Sequence, residues 1–191
     1  AGSSEEFGDV KWTPQSEIHP LRPRSPYGAS KCAARHLVKV YRDSYNLYAV
    51  QGWLFNHEGV RRGEEFVTRK ITKNVARIFI ESINGEEITP LQLGNVDAKR
   101  DWSDAEDFVD GVWKMLNQEQ PKDYVLSSDE THTIREFVEE AFNFAGFHRS
   151  MCSWQGEGED EKYFHGDQCL VEINPIFYRP AEVDILLGDS S

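Results

Sequence analysis

The chain has 191 residues, and its 21 lysines and arginines against 33 aspartates and glutamates give a formal net charge of −12 at pH 7. This length can hold one large domain, or one domain and part of another. The acidic balance argues against broad electrostatic binding to nucleic acid or to an anionic membrane surface. We also find neither the roughly 18 apolar residues of a membrane span nor the pattern of a signal peptide, so we expect a cytoplasmic protein.

The first predicted helix begins at Ser25-Pro26-Tyr27 and runs to about Tyr45. Ser25 can cap the free amides, and Pro26 suits the first helical position. Residues 47–55 form a short, nearly continuous apolar run, which is typical of a buried strand in a parallel sheet. A helix followed by such a strand predicts an α/β fold.

Further along, a helical pattern covers residues 66–83 and ends at the turn signal Asn84-Gly85. Residues 123–126 are strand-like. Residues 151–168 are rich in glycine and acidic residues and show no periodicity, so we predict a mobile surface loop there.

Two capping boxes predict further helix starts, because a serine or threonine precedes a glutamate by three residues. The first pairs Ser103 with Glu106, and the second pairs Thr133 with Glu136. The cysteines, by contrast, show no CxxC spacing, and the histidines show no ligand pattern. We therefore expect neither a disulfide framework nor a metal site.

The segment Tyr27-Gly28-Ala29-Ser30-Lys31 stands at the start of the first helix. A spacing of four residues places Tyr27 and Lys31 on one helical face, where the ammonium would favour the phenolate form of the tyrosine. Such a tyrosine can act as an acid or base near neutral pH. An ordinary exposed aromatic with a lysine one turn later is the alternative, and this spacing alone does not decide between them.

Longer blocks carry a family resemblance. The segments SSEEFG at 3–8 and PRSPYGASK at 23–31 resemble the extended short-chain dehydrogenases. Residues 54–71, 93–102 and 178–184 resemble the GDP-mannose 4,6-dehydratase family in particular. These blocks follow one another in the family's order and cover nearly the whole chain, with the weakest likeness at 85–90 and 151–168.

The resemblance implies that Ser3, Glu5, Tyr27 and Lys31 are catalytic. In a 4,6-dehydratase, GDP-mannose is oxidised at C4, loses water across C5–C6 and receives hydride at C6, which yields GDP-4-keto-6-deoxymannose. Tyr27 would take the proton of the 4-hydroxyl, Lys31 would hold the nicotinamide ribose of NADP, and Glu5 would take the C5 proton. Ser3 stands where the family more often has threonine, and its hydroxyl would bond the 4-oxygen. Without the flanking match, Glu5 would be read as a solvated acid.

The same resemblance implies binding residues for both ligands. The residues implied for NADP are Tyr27, Lys31, His57 and Arg62, and those implied for the nucleotide sugar are Asn56, Lys70, Arg100, Arg179 and Glu182. From the local sequence alone, Arg61-Arg62 is equally well explained as a basic turn after a strand.

We therefore predict the C-terminal portion of an NAD(P)-binding Rossmann fold, with a parallel sheet and flanking helices, plus a small α/β substrate-binding domain. Residues 1–60 would carry the catalytic part of the Rossmann domain. Residues 61–191 would mainly bind the nucleotide sugar, with about 94–125 returning to the Rossmann domain. The partner would be GDP-mannose, and we expect a homo-oligomer, either a dimer or a tetramer.

A Rossmann fold also needs a first strand and a glycine-rich turn that seat the pyrophosphate. Residues 1–191 do not contain them, so we expect this chain alone to bind NADP poorly and to be inactive as a fragment. Two alternatives stay open at this point. One is another nucleotide-sugar epimerase or reductase on the same scaffold, and the other is a truncated, non-catalytic binding module.

Overall fold

The computed structural model describes residues 1–178, 183 and 185–191. The chain forms two compact units. Unit 1 comprises Ala1–Val60, Lys99–His132 and Val183–Ser191, and unit 2 comprises Arg61–Ala98 and Thr133–Glu182. The predicted return to the Rossmann domain covers about 94–125, and Lys99–His132 is the middle segment of unit 1. Which unit binds the cofactor and which binds the sugar stays a prediction.

The helices, in chain order, are α1 (Pro26–Tyr45), α2 (Val67–Asn84), α3 (Ala105–Leu116) and α4 (Ile134–Phe144). The strands are β1 (Gln51–Leu54), β2 (Asn56–Glu58), β3 (Leu91–Leu93), β4 (Lys99–Arg100), β5 (Trp102–Asp104), β6 (Asp123–Leu126), β7 (His132–Thr133), β8 (Cys152–Gln155), β9 (Lys162–His165), β10 (Gln168–Ile173) and β11 (Ile185–Leu186). Among the described residues, no helix combines the length and the apolar character that crossing a membrane requires.

Unit 1 is built from parallel strand pairs, as the α/β prediction requires. Strand β1 pairs with β6, β2 with β5, and β11 with β4. The amide of Gly2 donates to the carbonyl of Gly52 at 2.7 Å, so the start of the chain lies beside β1. Phe7, Trp53 and Phe55 pack together in the core, with Phe108 of α3 against them.

Unit 2 contains a four-stranded sheet in the order β3, β10, β9, β8, in which only the β3–β10 pair is parallel. The prediction of a mobile loop at 151–168 is wrong, because β8 and β9 form an antiparallel hairpin there. Trp154 and Tyr163 pair across it, with ring centroids 4.8 Å apart. The glycines and acidic residues occupy the connection, and the two strands are too short to produce a visible period.

Two of the helix ends follow the predicted local signals closely. The Ser25 hydroxyl accepts the Gly28 amide at 3.0 Å, and Gly85 ends α2 with φ +69°. The capping box at Thr133 is confirmed. The box predicted at Ser103 is wrong: Ser103 lies in β5, and the Asp104 carboxylate caps α3 instead by accepting the Glu106 amide at 2.8 Å.

Candidate active site

Ser3 and Glu5 lie on a short 3-10 turn, Ser4–Glu6, which follows the residue that pairs with β1. The Ser3 hydroxyl accepts the Glu5 amide at 3.3 Å, and the Ser3 amide donates to Glu6 Oε1 at 2.9 Å. The bond from the Ser3 amide to Glu6 is one half of a capping box between Ser3 and Glu6 that orders the turn. Ser3 and Glu5 are both half-buried, so each side chain keeps access to solvent.

Tyr27 and Lys31 lie on the first turns of α1. The Lys31 ammonium is 5.7 Å from the centroid of the Tyr27 ring and donates to the carbonyl of Ala1 at 3.1 Å. Tyr27 is 54% exposed, which leaves its phenol open to a ligand. Lys31 therefore links the tyrosine to the segment that leads into Ser3.

Gly28 brings these two pairs of residues to one junction. It is the buried residue of α1, and a Cβ placed on it would lie 2.6 Å from the carbonyl oxygen of Glu5. No side chain could occupy this space without moving the backbone. The backbone of Glu5 thus rests directly on the first turn of the helix that carries Tyr27 and Lys31.

The residues predicted on β2 and β4 also lie in unit 1. The Asn56 side-chain oxygen is buried and accepts no hydrogen bond from the described part of the chain. His57 stacks on Phe108 at 4.8 Å, and its Nδ1 lies 2.8 Å from a backbone carbonyl. Arg100 is buried, and its Nη1 donates to the carbonyl of Val183 at 2.8 Å.

The remaining predicted residues belong to unit 2 or lie outside the described residues. The Lys70 ammonium sits 3.6 Å from the centroid of the Phe177 ring, and burial lowers the pKa of Lys70 below its ordinary value. The Arg62 guanidinium carbon sits 3.6 Å from the centroid of the Phe66 ring. Arg179 and Glu182 lie outside the described residues.

The sequence reasoning missed Glu6, although a signal for it was present. The spacing Ser3-x-x-Glu6 is itself a capping box, the same pattern that revealed Thr133 with Glu136. Glu6 is fully buried, and its Oε2 accepts the indole N–H of Trp53 at 3.1 Å. Burial raises the pKa of Glu6, and its hydrogen bonds with Ser3 and Trp53 oppose that rise.

A family model described as GDP-mannose 4,6 dehydratase matches residues 1–191. The chain belongs to the GDP-mannose 4,6 dehydratase family. The GDP-mannose 4,6 dehydratase of Drosophila melanogaster is 47% identical over 193 residues, which cover 100% of this chain and 47% of that protein. The chain spans about half the length of the curated relatives it matches. The family prediction is confirmed.

Solved structures are similar over the whole chain. RMD from Pseudomonas aeruginosa, complexed with NADPH, superposes with a TM-score of 0.73 at 22% identity, covering 100% of this chain and 56% of that one. UDP-glucose 4-epimerase from Thermus thermophilus, in complex with NAD, gives 0.70 at 21% identity, with 99% and 54% coverage. These likenesses confirm the predicted Rossmann-type α/β fold.

Proposed function

We propose that this chain supplies the acid–base and sugar-binding residues of a GDP-mannose 4,6-dehydratase, which forms GDP-4-keto-6-deoxymannose and water. The proposal is carried by the junction at Gly28, in a chain that matches the family over its full length. The reaction removes protons from two positions, the 4-hydroxyl and C5, so the site needs two distinct acid–base groups. Tyr27 and Glu5 are those groups.

The cofactor we propose is NADP, in keeping with the NADPH bound to the similar RMD structure. The donor set of α1 fits the nicotinamide-ribose end, because an ammonium and a phenol project from one exposed helical face. Lys31 would bind the ribose hydroxyls, while His57 and Arg62 would contact other parts of the cofactor. When bound, the nicotinamide would take hydride from C4 and return it to C6.

The protein's own groups would handle the protons. The Tyr27 phenolate would accept the 4-hydroxyl proton, with the Lys31 ammonium stabilising the phenolate form. The Ser3 hydroxyl would hydrogen-bond the 4-oxygen and hold it towards the tyrosine. A ketone at C4 makes the C5 proton acidic. The Glu5 carboxylate would accept that proton and pass it to the 6-hydroxyl, which would then leave as water.

The nucleotide sugar would be held by the residues that the family resemblance assigns to it: Asn56, Lys70, Arg100, Arg179 and Glu182. The buried Asn56 oxygen without a partner among the described residues suits a hydroxyl donor of the ligand, since buried polar atoms are rarely left unpaired. A diphosphate would offset the cost of the partly buried Lys70 ammonium. Arg100 and Arg179 would add positive charge in a net-acidic protein, and Glu182 would accept from ribose hydroxyls.

Product analysis with GDP-mannose tests this proposal in the native polypeptide. Tyr27→Phe removes one hydroxyl, so turnover should fall by about 100-fold or more, the range for a lost acid–base group, with GDP-mannose binding nearly intact. Tyr41→Phe is the matched control, because Tyr41 lies on the same helix and is 51% exposed. Near-normal turnover of Tyr27→Phe would refute the assigned role.

Glu5→Gln separates the two proton transfers. Oxidation at C4 should continue, while loss of water should stop. Product formed at the parent rate would show that Glu5 is not the base. A sugar product that keeps its 6-hydroxyl in the parent protein would favour an epimerase instead, and ligand binding without any turnover would favour a binding module.

A further inference from the structure

The carboxylate of Glu6 is fully buried directly after the proposed base Glu5. Its Oε1 accepts the Ser3 amide at 2.9 Å, and its Oε2 accepts the Trp53 indole N–H at 3.1 Å. Each oxygen thus has its own donor, one from the catalytic turn and one from β1. Two acceptor positions are needed here, and an ionised carboxylate provides both.

The backbone carbonyl of Glu6 also accepts two hydrogen bonds. Its carbonyl accepts the Arg22 amide at 3.1 Å and lies 3.7 Å from the Cys32 thiol, which donates to it from α1. One residue therefore contacts the catalytic turn, β1, the segment before α1, and α1 itself. These elements carry or support Ser3, Glu5, Tyr27 and Lys31.

Two cationic side chains of α1 favour the ionised form of Glu6, although burial disfavours it. Lys31 and Arg35 of α1 both act on it as cations. The Arg35 guanidinium carbon lies 4.9 Å from the centroid of the Trp53 ring, and Arg35 also pairs with Asp123 at 3.0 Å. An apolar side chain of similar volume would avoid the desolvation cost of a buried carboxylate. The carboxylate instead orients the turn, because its hydrogen bonds to the Ser3 amide and the Trp53 indole can both form in only one placement of the turn.

We infer that Glu6 is a positioning residue for the dehydratase reaction. Through the Ser3 amide and the Trp53 indole it sets where Ser3 and Glu5 stand relative to the helix of Tyr27 and Lys31. This inference rests on the proposed function. Glu6 does not touch the sugar or the cofactor; it acts through the turn.

Glu6→Gln tests the inference with little change in shape. Both partners of the carboxylate are N–H donors, so either orientation of the amide turns one N–H···O bond into a contact between two donors. We expect kcat to fall about 10-fold or more, since misplacement of about 1 Å can cost 100-fold, and KM for GDP-mannose to stay within about twofold. Trp53→Phe removes the indole donor and should lower kcat in the same direction. The double variant should lose less than the product of the two single losses.

The matched control is Glu136→Gln, at the same position of the capping box that begins α4 in unit 2. Its kcat should equal that of the parent. Parent-like kcat in folded Glu6→Gln or in folded Trp53→Phe would overturn the inference, as would an equal loss in Glu136→Gln. If Glu6→Gln does not fold, the kcat of Trp53→Phe tests the inference instead.

A readout without turnover separates this inference from the proposed function. In the ¹⁵N-labelled native protein, Trp53→Phe should shift the amide resonances of Ser3 and Glu5, and Glu136→Gln should leave them in place. Unshifted resonances would overturn the inference. The resonances could shift even though the native protein shows no dehydratase turnover. That combination would support the inference that Glu6 positions the turn, and it would refute the proposed function.

Discussion

Replacing Gly28 with alanine should push the 3-10 turn Ser4–Glu6, which carries the proposed base Glu5, away from α1. The added Cβ would lie 2.6 Å from the Glu5 carbonyl oxygen and 3.1 Å from the Pro23 Cβ. Ordinary contact begins at 3.4 Å, so the Glu5 carbonyl must move by 3.4 − 2.6 = 0.8 Å. The obstacle is backbone rather than the flexible end of a side chain, so it cannot rotate away.

The effects on stability and on turnover should differ in size. Alanine favours a helix over glycine by about 1 kcal/mol, while overpacking costs about 1–3 kcal/mol, which leaves a net loss of about 0–2 kcal/mol. A displacement approaching 1 Å between Glu5 and Tyr27 can by itself lower turnover about 100-fold. A large loss of kcat with a small loss of stability is therefore the expected result.

Urea unfolding and steady-state turnover of GDP-mannose in the native polypeptide measure the two effects. Gly111→Ala in α3 is the matched control, because the nearest neighbours of its Cβ would be the two methyl carbons at the end of the Leu126 side chain, at 3.1 and 3.3 Å. We expect that variant to keep full turnover and to gain up to about 1 kcal/mol. Identical behaviour of the two variants would refute the close approach at Gly28 as a determinant of the site.

Three further measurements address charge and assembly. Burial raises the pKa of Glu6 above its ordinary value of 4.5, so the folded protein binds this proton more tightly than the unfolded chain. The free energy of unfolding of the parent should therefore fall, relative to that of Glu6→Gln, as the pH rises from 4.5 through the raised pKa. Parallel curves of unfolding free energy against pH would contradict this. Lys70→Met keeps the contact with Phe177 but removes the ammonium, so calorimetry should show GDP-mannose affinity about 10-fold weaker or more, while urea unfolding changes by less than about 1 kcal/mol. Tyr41 and Tyr45 lie exposed on one face of α1, so if the expected homo-oligomer uses this apolar face, Tyr41→Glu should lower the mass measured by light scattering; an unchanged oligomer would exclude the face.

Signals between residues close in sequence predicted much of the fold correctly. The start of α1 at Ser25, the end of α2 at Gly85 and the box at Thr133 all depend on hydrogen bonds spanning three to five residues. Such bonds form wherever the right residue types stand at the right spacing. The segments that resemble known enzymes predicted the family, and the family match over residues 1–191 confirms that prediction.

Predictions failed where a distant partner decides the local structure. Ser103 satisfies the capping pattern, but it pairs with His57 in a parallel ladder and leaves the cap to Asp104. This outcome cannot be read from a short window, since the partner strand lies elsewhere in the chain.

The sequence by itself determined which residue types are available to the site: a phenol and an ammonium one helical turn apart, and an acidic pair some twenty residues before them. Only the tertiary structure decided that the two neighbouring glutamates differ in burial and in hydrogen-bond partners. Glu5 is half-buried, whereas Glu6 is enclosed by Trp53, a residue 47 positions along the chain. Adjacent carboxylates look alike in sequence, and they acquire different chemistry because burial and hydrogen-bond partners, which act through space, are supplied by β1 and α1.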